Sequence, residues 1–591
     1  MRLHYLILLI LIQAACVQNQ LHAGEPKRIL LSEYRISSGD DITETVNNVI
    51  SSLNNQSAVI VFPKGRYHFS APKAVSKFHY ITNHDNGTKN IAFNLSGSKN
   101  ITIDGMGSEF IFHGEIIPFL IEHCSNIKLM NFSIDWEIPF YIQGEVISTN
   151  VQEGWFTLKM YDDGFSYACQ NEQIVFPVAD NVKEFTTPGE SIAFDKSTKS
   201  PVYGSNQYDY HGKQPTHVTI LPDSSIRLAQ KLKDYPPLNS VLVMKGEMGE
   251  NRYGPAFHAI NSKNIELYNI NVYHAPGMGF LGERTENITL RKTHVRLREG
   301  TNRYVSTTAD ATHFANCKGS ILIDSCIFEN MLDDGTNVHG TYMEVDSVID
   351  NNRFVANLKH FQQAGFVFAE PGEEIWILTA PDPTRSNLNT ITALHRINDT
   401  QYKITVKRKL PDNIKKGDLI ENKTFNPHKF VVQNCTVRNH RARNIVLKTP
   451  GKVLIRNNHF QSMMASILIR GEAMMWYESG AVNHVVIENN YFKNCVLGGG
   501  NQAILHISPK LNSRFNSIIL FDKNIVFRNN ILNTFDYKIV DAERVKNLSI
   551  TGNNIKINND YPPLNSQKQI FETKHCEHVV IEKNTFTRND N

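Results

Sequence analysis

The chain has 591 residues, a formal net charge of +3 and 20% charged residues. So balanced a composition carries no electrostatic footprint for nucleic acid or a strongly anionic partner. The length excludes one ordinary core and leaves several domains or a solenoid, which grows without that limit. Asn-rich and β-branched-rich segments outweigh the Ala/Leu/Glu/Lys patterns of helices, so an all-β chain is expected.

Arg2, the apolar run Leu6 to Ile12 and the small residues after it read as a secretory signal, too short for a spanning helix. Cleavage is expected after residue 23, in Leu21-His22-Ala23 before Gly24. The competing site is Ala14-Ala15-Cys16, a lipoprotein-like box with Gln13 where Leu is usual. Either route exports the chain to the periplasm or cell surface, the second with a lipid anchor at Cys16. No later segment is apolar enough to span a membrane.

Asp40-Asp41-Ile42-Thr43 precedes Val46, Val49, Ile50 and Leu53, a helical spacing with an Asp or Thr cap. A strand over Ala58–Tyr67 follows. A helix leading into a first strand covers the open end that a solenoid must protect. Residues 24–136 are therefore read as a cap and first coils.

One pattern then recurs: apolar–x–apolar, polar–Asn–Asn, aromatic or aliphatic. It reads Ile455-Arg-Asn-Asn-His-Phe460, Ile487-Glu-Asn-Asn-Tyr-Phe492, Phe527-Arg-Asn-Asn-Ile-Leu532, Ile550-Thr-Gly-Asn-Asn-Ile555 and Ile581-Glu-Lys-Asn-Thr-Phe586. Ile349-Asp-Asn-Asn-Arg-Phe354 reads as an earlier copy and Ile323-Asp-Ser-Cys-Ile-Phe328 as a degenerate one. Looser copies begin at Leu129, Leu267, Leu290 and Val432; the steps 267 to 290, 432 to 455 and 527 to 550 are each 23 residues. Each copy is a short strand with alternate residues buried, a tight bend and another strand. Asn tolerates left-handed backbone and bonds local amides, and stacked Asn side chains can form a ladder. The period is too short for propeller blades of about 40–50 residues. A right-handed parallel β-helix is the expected fold, with coils over 251–355 and 429–591.

The pattern vanishes over 137–250 and 356–428. Gly154-Trp-Phe-Thr-Leu-Lys-Met160, Val241-Leu-Val-Met244, Glu374-Ile-Trp-Ile-Leu378 and Tyr402-Lys-Ile-Thr-Val406 read as strands separated by turns. Two small antiparallel, barrel-like β domains inserted into coil loops are expected, walling one end of a groove. Cysteines 124, 169, 317, 326, 435, 495 and 576 are odd in number and scattered, so they read as small buried hydrophobes rather than a disulfide framework. No CxxC or HxxxH spacing marks a metal site, and no cofactor is expected.

The chemistry concentrates between Thr307 and Gly340. Laying Thr-Ala-Asp310-Ala-Thr-His313 over Leu-Asp333-Asp334-Gly-Thr-Asn337 puts Asp310 over Asp334, Thr312 over Thr336 and His313 over Asn337, at an offset of 24 residues. Residues one coil apart stack at roughly 4.8 Å. Three carboxylates should therefore converge, raising each other's pKa so that one stays protonated while another stays ionised. Adjacent strand residues face opposite ways, so Asp333 and Asp334 must lie at a bend, which Gly335 permits. Such a set is the chemistry of glycosidic bond hydrolysis, in which Asp333 is expected as general acid, with Asp310 and Asp334 holding the water, the three titrating as one set. Candidate substrate contacts are Glu283, Arg284, His313, Asn337, His339, Arg470, Glu472 and Trp476, with Trp for an apolar sugar face and Arg and Glu for hydroxyls. Each has a plainer reading: Glu283-Arg284 as an exposed ion pair, the histidines as satisfied polar groups, Met474-Met475-Trp476 as core.

Asp40–Tyr67 resembles the first segment of polysaccharide-degrading β-helices, and the Thr-Ala-Asp and Asp-Asp-Gly segments are similar to the three-aspartate site of polygalacturonase-type glycosidases. With both insertions, about Glu25 to Thr587 resembles glycoside hydrolase family 110, secreted bacterial exo-α-1,3-galactosidases, some of which remove the blood-group B galactose. The resemblance implies Asp310, Asp333 and Asp334 as catalytic acids, inversion of configuration, no metal, and a glycan substrate ending in α-galactose. Alternatives are an endo-acting polygalacturonase-like hydrolase, a calcium-dependent lyase and a non-catalytic glycan-binding β-helix. A polyuronide hydrolase should line its cleft with Lys and Arg, which 330–340 lacks; a lyase needs a basic Arg or Lys; a binding module needs no carboxylates in register. The assembly expected, if any, is a homodimer.

Overall fold

A computed structural model describes residues 26–161, 168–175, 191–205, 216–246, 252–564 and 569–588. The expected leader, with both candidate cleavage sites, lies outside the described residues.

The alternation in the repeat buries every second residue of each strand, and the coils stack those residues in columns. In Lys452–Arg456, Val453 and Ile455 are buried while Lys452 and Arg456 are exposed. Ile455 pairs in parallel register with Val432 on one side and Ile487 on the other. The column runs unbroken through Ile29, Ile60, Ile103, Leu129, Leu267, Leu290 and Ile323 to Val432, and on through Phe527 and Ile550 to Ile581. It steps from Leu129 to Leu267 and from Ile323 to Val432, so both interruptions leave the core continuous. This is the parallel β-helix expected.

The Asn-Asn bends divide the labour. The first Asn takes left-handed backbone, with φ of 55° at Asn457, 56° at Asn489 and 53° at Asn529. The second points inward and forms a ladder: Asn458 to Asn490 at 2.9 Å, Asn490 to Asn530 at 3.0 Å, Asn530 to Asn553 at 3.0 Å and Asn553 to Asn584 at 2.9 Å. Each of these side chains both donates and accepts, so the buried amides are satisfied by their own repeat.

The helix Thr43–Ser52 lies on the strands Arg66–Ser70 and Gly87–Asn94, burying Val46, Val49, Ile50 and, just past its end, Leu53. Asp41 supports its start, accepting from the Thr43 backbone N–H at 3.1 Å and hydroxyl at 2.6 Å. The last described strands, Glu577–Glu582 and Thr585–Arg588, leave Ile581 and Phe586 exposed because no described coil follows them. Of the seven cysteines among the described residues, five are buried and all seven are free thiols.

Six antiparallel strands between Ile142–Asn150 and Ser240–Met244 form one sheet. A second set closes on itself. The distal part of Thr336–Val348 pairs with Arg353–Asn357, that with Gln401–Val406, then Asn387–Arg396, Glu374–Leu378 and Leu419–Asn422, which returns to the first. One continuous strand thus leaves the β-helix at His339 and enters this barrel at Tyr342. Ile349-Asp-Asn-Asn-Arg-Phe354 corrects the repeat reading. It is the barrel's first hairpin, with Val348 opposite Phe354, and not a coil. Asn-Asn signals a tight bend, and a bend serves a hairpin as well as a coil corner. No helix among the described residues is long and apolar enough to cross a membrane.

Candidate active site

The site lies on one sheet of the β-helix whose successive strands are Phe280–Glu283, Thr312–Ala315, the start of Thr336–Val348, Ile445–Lys448, Ile467–Ile469, Leu505–Ile507 and Val540–Glu543. Thr312 pairs with Thr336 and His313 with Asn337, as the 24-residue alignment requires. Asp310, Asp334 and Arg443 all stand two residues ahead of their strands. A cavity of about 750 Å³ opens over them. On one side it ends one strand away, at Met278 with Asn83 and Arg252; on the other it continues to Asp541 and Glu543.

Asp310, Asp333 and Asp334 converge, with an oxygen of each within 4.8 Å of the others. Asp333 and Asp334 lie in a bend outside regular strand. Gly335 serves it through space rather than left-handed backbone: a Cβ there would lie 2.5 Å from the Asn444 carbonyl. Their electrostatics differ. Asp333 bonds Arg252 at 2.6 Å and faces Arg441 at 3.5 Å. Burial pushes this carboxyl up, but Arg441, Arg252 and Arg443 outweigh it and hold it well below the usual carboxylate range. Asp334 accepts from the Arg443 backbone N–H and guanidinium, both at 2.9 Å. Burial, with Asp333 and Asp310 opposing the pull of Arg443, pushes it up to about 7. Burial and the Asp333 charge likewise push Asp310 up to about 7.

Asp310 leans on a histidine pair. His313 Nδ1 lies 2.8 Å from Asp310 Oδ2, His313 Nε2 lies 2.6 Å from His339 Nε2, and His339 Nδ1 lies 2.6 Å from the Gly340 carbonyl. Both rings are buried, and burial pulls both far below the usual imidazole range. Glu478 Oε1 stands 3.6 Å from His339 Nε2. Glu478 is bonded by Lys448, by Asn337 at 3.3 Å and by Asn83 at 3.3 Å.

The other sequence candidates divide. His313, Asn337, Arg470, Glu472 and Trp476 line the cavity. Glu472 is nevertheless committed to the chain, not to hydroxyls: its oxygens accept from the backbone N–H groups of Met474, Met475, Trp476 and Tyr477 at 2.5–3.2 Å. It shapes the loop that presents Trp476, whose ring stacks on His360 at 4.2 Å. Glu283 and Arg284 lie outside this cavity. Glu283 is buried and bonded to His258 and Thr82. Arg284 binds Glu373 at 2.5 Å and lies over the Phe425 ring, tying the β-helix to the inserted barrel. Neither lines this cavity, and they are not paired with each other. Arg284→Met should therefore cost about 3 kcal/mol of stability, the scale for orphaning one partner of a buried ion pair. It should leave kcat and KM unchanged below the melting transition, as thermal melts beside initial rates will read. Among the described strands of the two insertions none contributes a lining residue. The barrel side supports the lining loop, through Gln363 to the Trp476 carbonyl at 2.7 Å.

Sequence reading missed Arg252, Arg441, Arg443, Lys448 and Glu478. Two of these were accessible through coil register: Arg443 occupies the position of Asp334, and Lys448 that of His339. The cations absent from 330–340 thus arrive from neighbouring coils. Two clusters are tight enough to hold an ion, His313–His339–Glu478 and the three aspartates. In both the protein supplies its own cation, Lys448 at Glu478 and Arg252, Arg441 and Arg443 at the aspartates. These donor sets fit side-chain cations better than a resident metal.

Family models match three regions: GLAA-B beta-barrel domain I over residues 142–242, GLAA-B beta-barrel domain II over 353–420, and a right handed beta helix region over 421–591. The chain is 32% identical to the alpha-1,3-galactosidase A of Shewanella woodyi over 97% of this chain and 92% of that one. It is 31% identical to the alpha-1,3-galactosidase B of Bacteroides thetaiotaomicron, covering 89% and 85%. Among solved structures, a bacteriophage HK620 tailspike bound to a pentasaccharide matches at TM-score 0.41 and 10% identity, covering 95% and 67%. The A-module of the mannuronan C-5 epimerase AlgE6 of Azotobacter vinelandii matches at 0.38 and 8%, covering 93% and 98%. These are likenesses of fold alone. The fold and the relatives together define a glycoside hydrolase built on a right-handed β-helix. The chain belongs to glycoside hydrolase family 110, with the alpha-1,3-galactosidases A and B.

Proposed function

We propose that this enzyme releases terminal α-1,3-linked galactose from branched blood-group B-type or linear glycans, acting from the chain end. The observation that carries the reading is the off-centre place of the three carboxylates, near the Met278 end of the cavity lining while the rest of the lining runs over later coils. Such a pocket suits one terminal sugar on one side of the cleaved bond and the rest of the glycan on the other. The names of the relatives supply the sugar and the linkage.

The charge distribution supports a partition of roles different from the one expected. Asp333, flanked by Arg252 and Arg441, stays ionised and acts as base on water, with Asp334 orienting that water. Asp334 offers both oxygens to Arg443 as a carboxylate does. The proton of the set then rests on Asp310, which donates it to the leaving oxygen. Inversion is carried by the family resemblance. Proton NMR of the first product from an α-1,3-linked galactosyl disaccharide decides this, and β-galactose is expected first, with or without chelator. α-Galactose first would establish retention. Oligosaccharides released first from a longer glycan would make the enzyme endo-acting, and binding without release would make it a recognition module.

A further inference from the structure

The hydrogen-bond chain behind Asp310 has one solution when its rings are neutral. The Gly340 carbonyl can only accept, so His339 Nδ1, 2.6 Å away, carries a hydrogen. In a neutral ring His339 Nε2 is then bare. It lies 2.6 Å from His313 Nε2, which must therefore donate. That leaves His313 Nδ1 bare, 2.8 Å from Asp310 Oδ2. Two bare acceptors do not sit at that distance, so the hydrogen between them belongs to Asp310. The other oxygen, Oδ1, accepts the Asp334 backbone N–H at 3.3 Å and is not the protonated one.

We propose that His313 and His339 are positioning residues that fix the proton of the family's catalytic carboxylate set on Asp310 Oδ2, through a one-way chain anchored at the Gly340 carbonyl. The inference rests on the proposed role of Asp310 as acid. His339, which does not line the cavity, acts through His313, and His313 acts through Asp310. A bare Nδ1 bonds the neutral carboxyl and not the carboxylate, so it strengthens the hold of Asp310 on its proton. When the leaving oxygen becomes basic, the hydroxyl turns about its C–O bond toward the cavity; the proton passes to that oxygen and Asp310 is left ionised.

The surroundings favour neutral rings. Burial is complete around both, and Lys448 and Arg252 face the pair from other elements. The facing carboxylates are Asp334, Glu283 and Glu478. Each is already engaged, Asp334 by Arg443, Glu283 by His258 and Thr82, and Glu478 by Lys448, Asn337 and Asn83. Asp310 also faces Asp333 and Arg443. The competing arrangement has the same number of protons: ionised Asp310, His313 bonded through Nδ1–H, and a charged His339 beside Glu478.

Neutron diffraction of the wild-type enzyme at neutral pD distinguishes the two. Deuterium is expected on Asp310 Oδ2, His313 Nε2 and His339 Nδ1, with His313 Nδ1 bare. Deuterium on both nitrogens of His339 with a bare Asp310 overturns the proposal, as does a metal ion between the rings. In kinetics, His339→Leu removes the final acceptor and His339→Gln keeps one. The alkaline limb of kcat/KM on the disaccharide should move down by about one pH unit in the Leu variant, one unit being tenfold in proton affinity. It should return in the Gln variant. An unmoved limb in a folded Leu variant refutes the chain. An upward gain of activity at low pH instead means that Asp310 works as a base, which refutes the parent reading and not the hydrogen-bond chain. Asp310→Asn with an aryl galactoside of acidic phenol checks that parent reading separately. An acid variant keeps activity on this substrate, and a base variant loses it.

Discussion

Asn in place of Asp310, Asp333 or Asp334 should lower turnover on an α-1,3-galactosyl disaccharide by at least ~10²–10⁴-fold each, the usual contribution of one general acid or base. Amide and carboxyl have the same shape, so the fold should persist, as circular dichroism and melting will report. The three variants should differ in kind. The Asp310 variant should recover much of its rate on an aryl galactoside whose leaving group needs no proton, while the Asp333 variant should recover none. The pH profile follows from the same charges. A donor must hold its proton, so activity should fall as pH rises through about 7, where burial and the Asp333 charge place Asp310. A base must be bare, and the arginines keep Asp333 ionised to below the usual carboxylate range, so the acidic limb should lie low. Near-normal turnover in the Asp333 or Asp334 variant would return Asp-Asp-Gly to its plain reading as a turn.

The largest structural effect is expected from the asparagine ladder. Asn490 accepts from the Asn458 backbone at 3.0 Å and side chain at 2.9 Å, and donates to the Ile455 carbonyl and Asn530 Oδ1 at 3.0 Å each. Asn490→Ala leaves several buried groups without partners, each costing ~1–3 kcal/mol. A loss of at least about 3 kcal/mol is expected, read as a fall in the urea midpoint and melting temperature. Asn457 next to the ladder offers a contrast. It holds left-handed backbone, which Gly adopts freely, so Asn457→Gly should be close to neutral. Equal losses in the two variants would mean that the bend, and not the ladder, carries the stability.

Much of this was legible because a coil is a local object. Alternating burial, the left-handed bend and the ladder are properties of six consecutive residues, and repetition at 23 or 24 residues stacks them. Hence the 24-residue register aligns the aspartates, and Thr312 does pair with Thr336. The same locality misled at Ile349–Phe354, where the bend motif closes a barrel hairpin.

Charge pairing obeys no such rule. Glu283 and Arg284 are adjacent in sequence yet bond different partners, one His258 and the other Glu373. Asp334 and Arg443 are 109 residues apart yet bonded, because the coil carrying Arg443 stacks directly on that of Asp334 once the barrel is looped out. Arg252 reaches Asp333 from 81 residues away. The sequence by itself determined the solenoid, its bends, the two interruptions and the convergence of three carboxylates, since these depend on propensity and period. Only the tertiary structure decided which of them stays charged. That depends on the arginines, the buried imidazoles and the dielectric that surround each carboxyl, and those are set by contacts across coils and not along the chain.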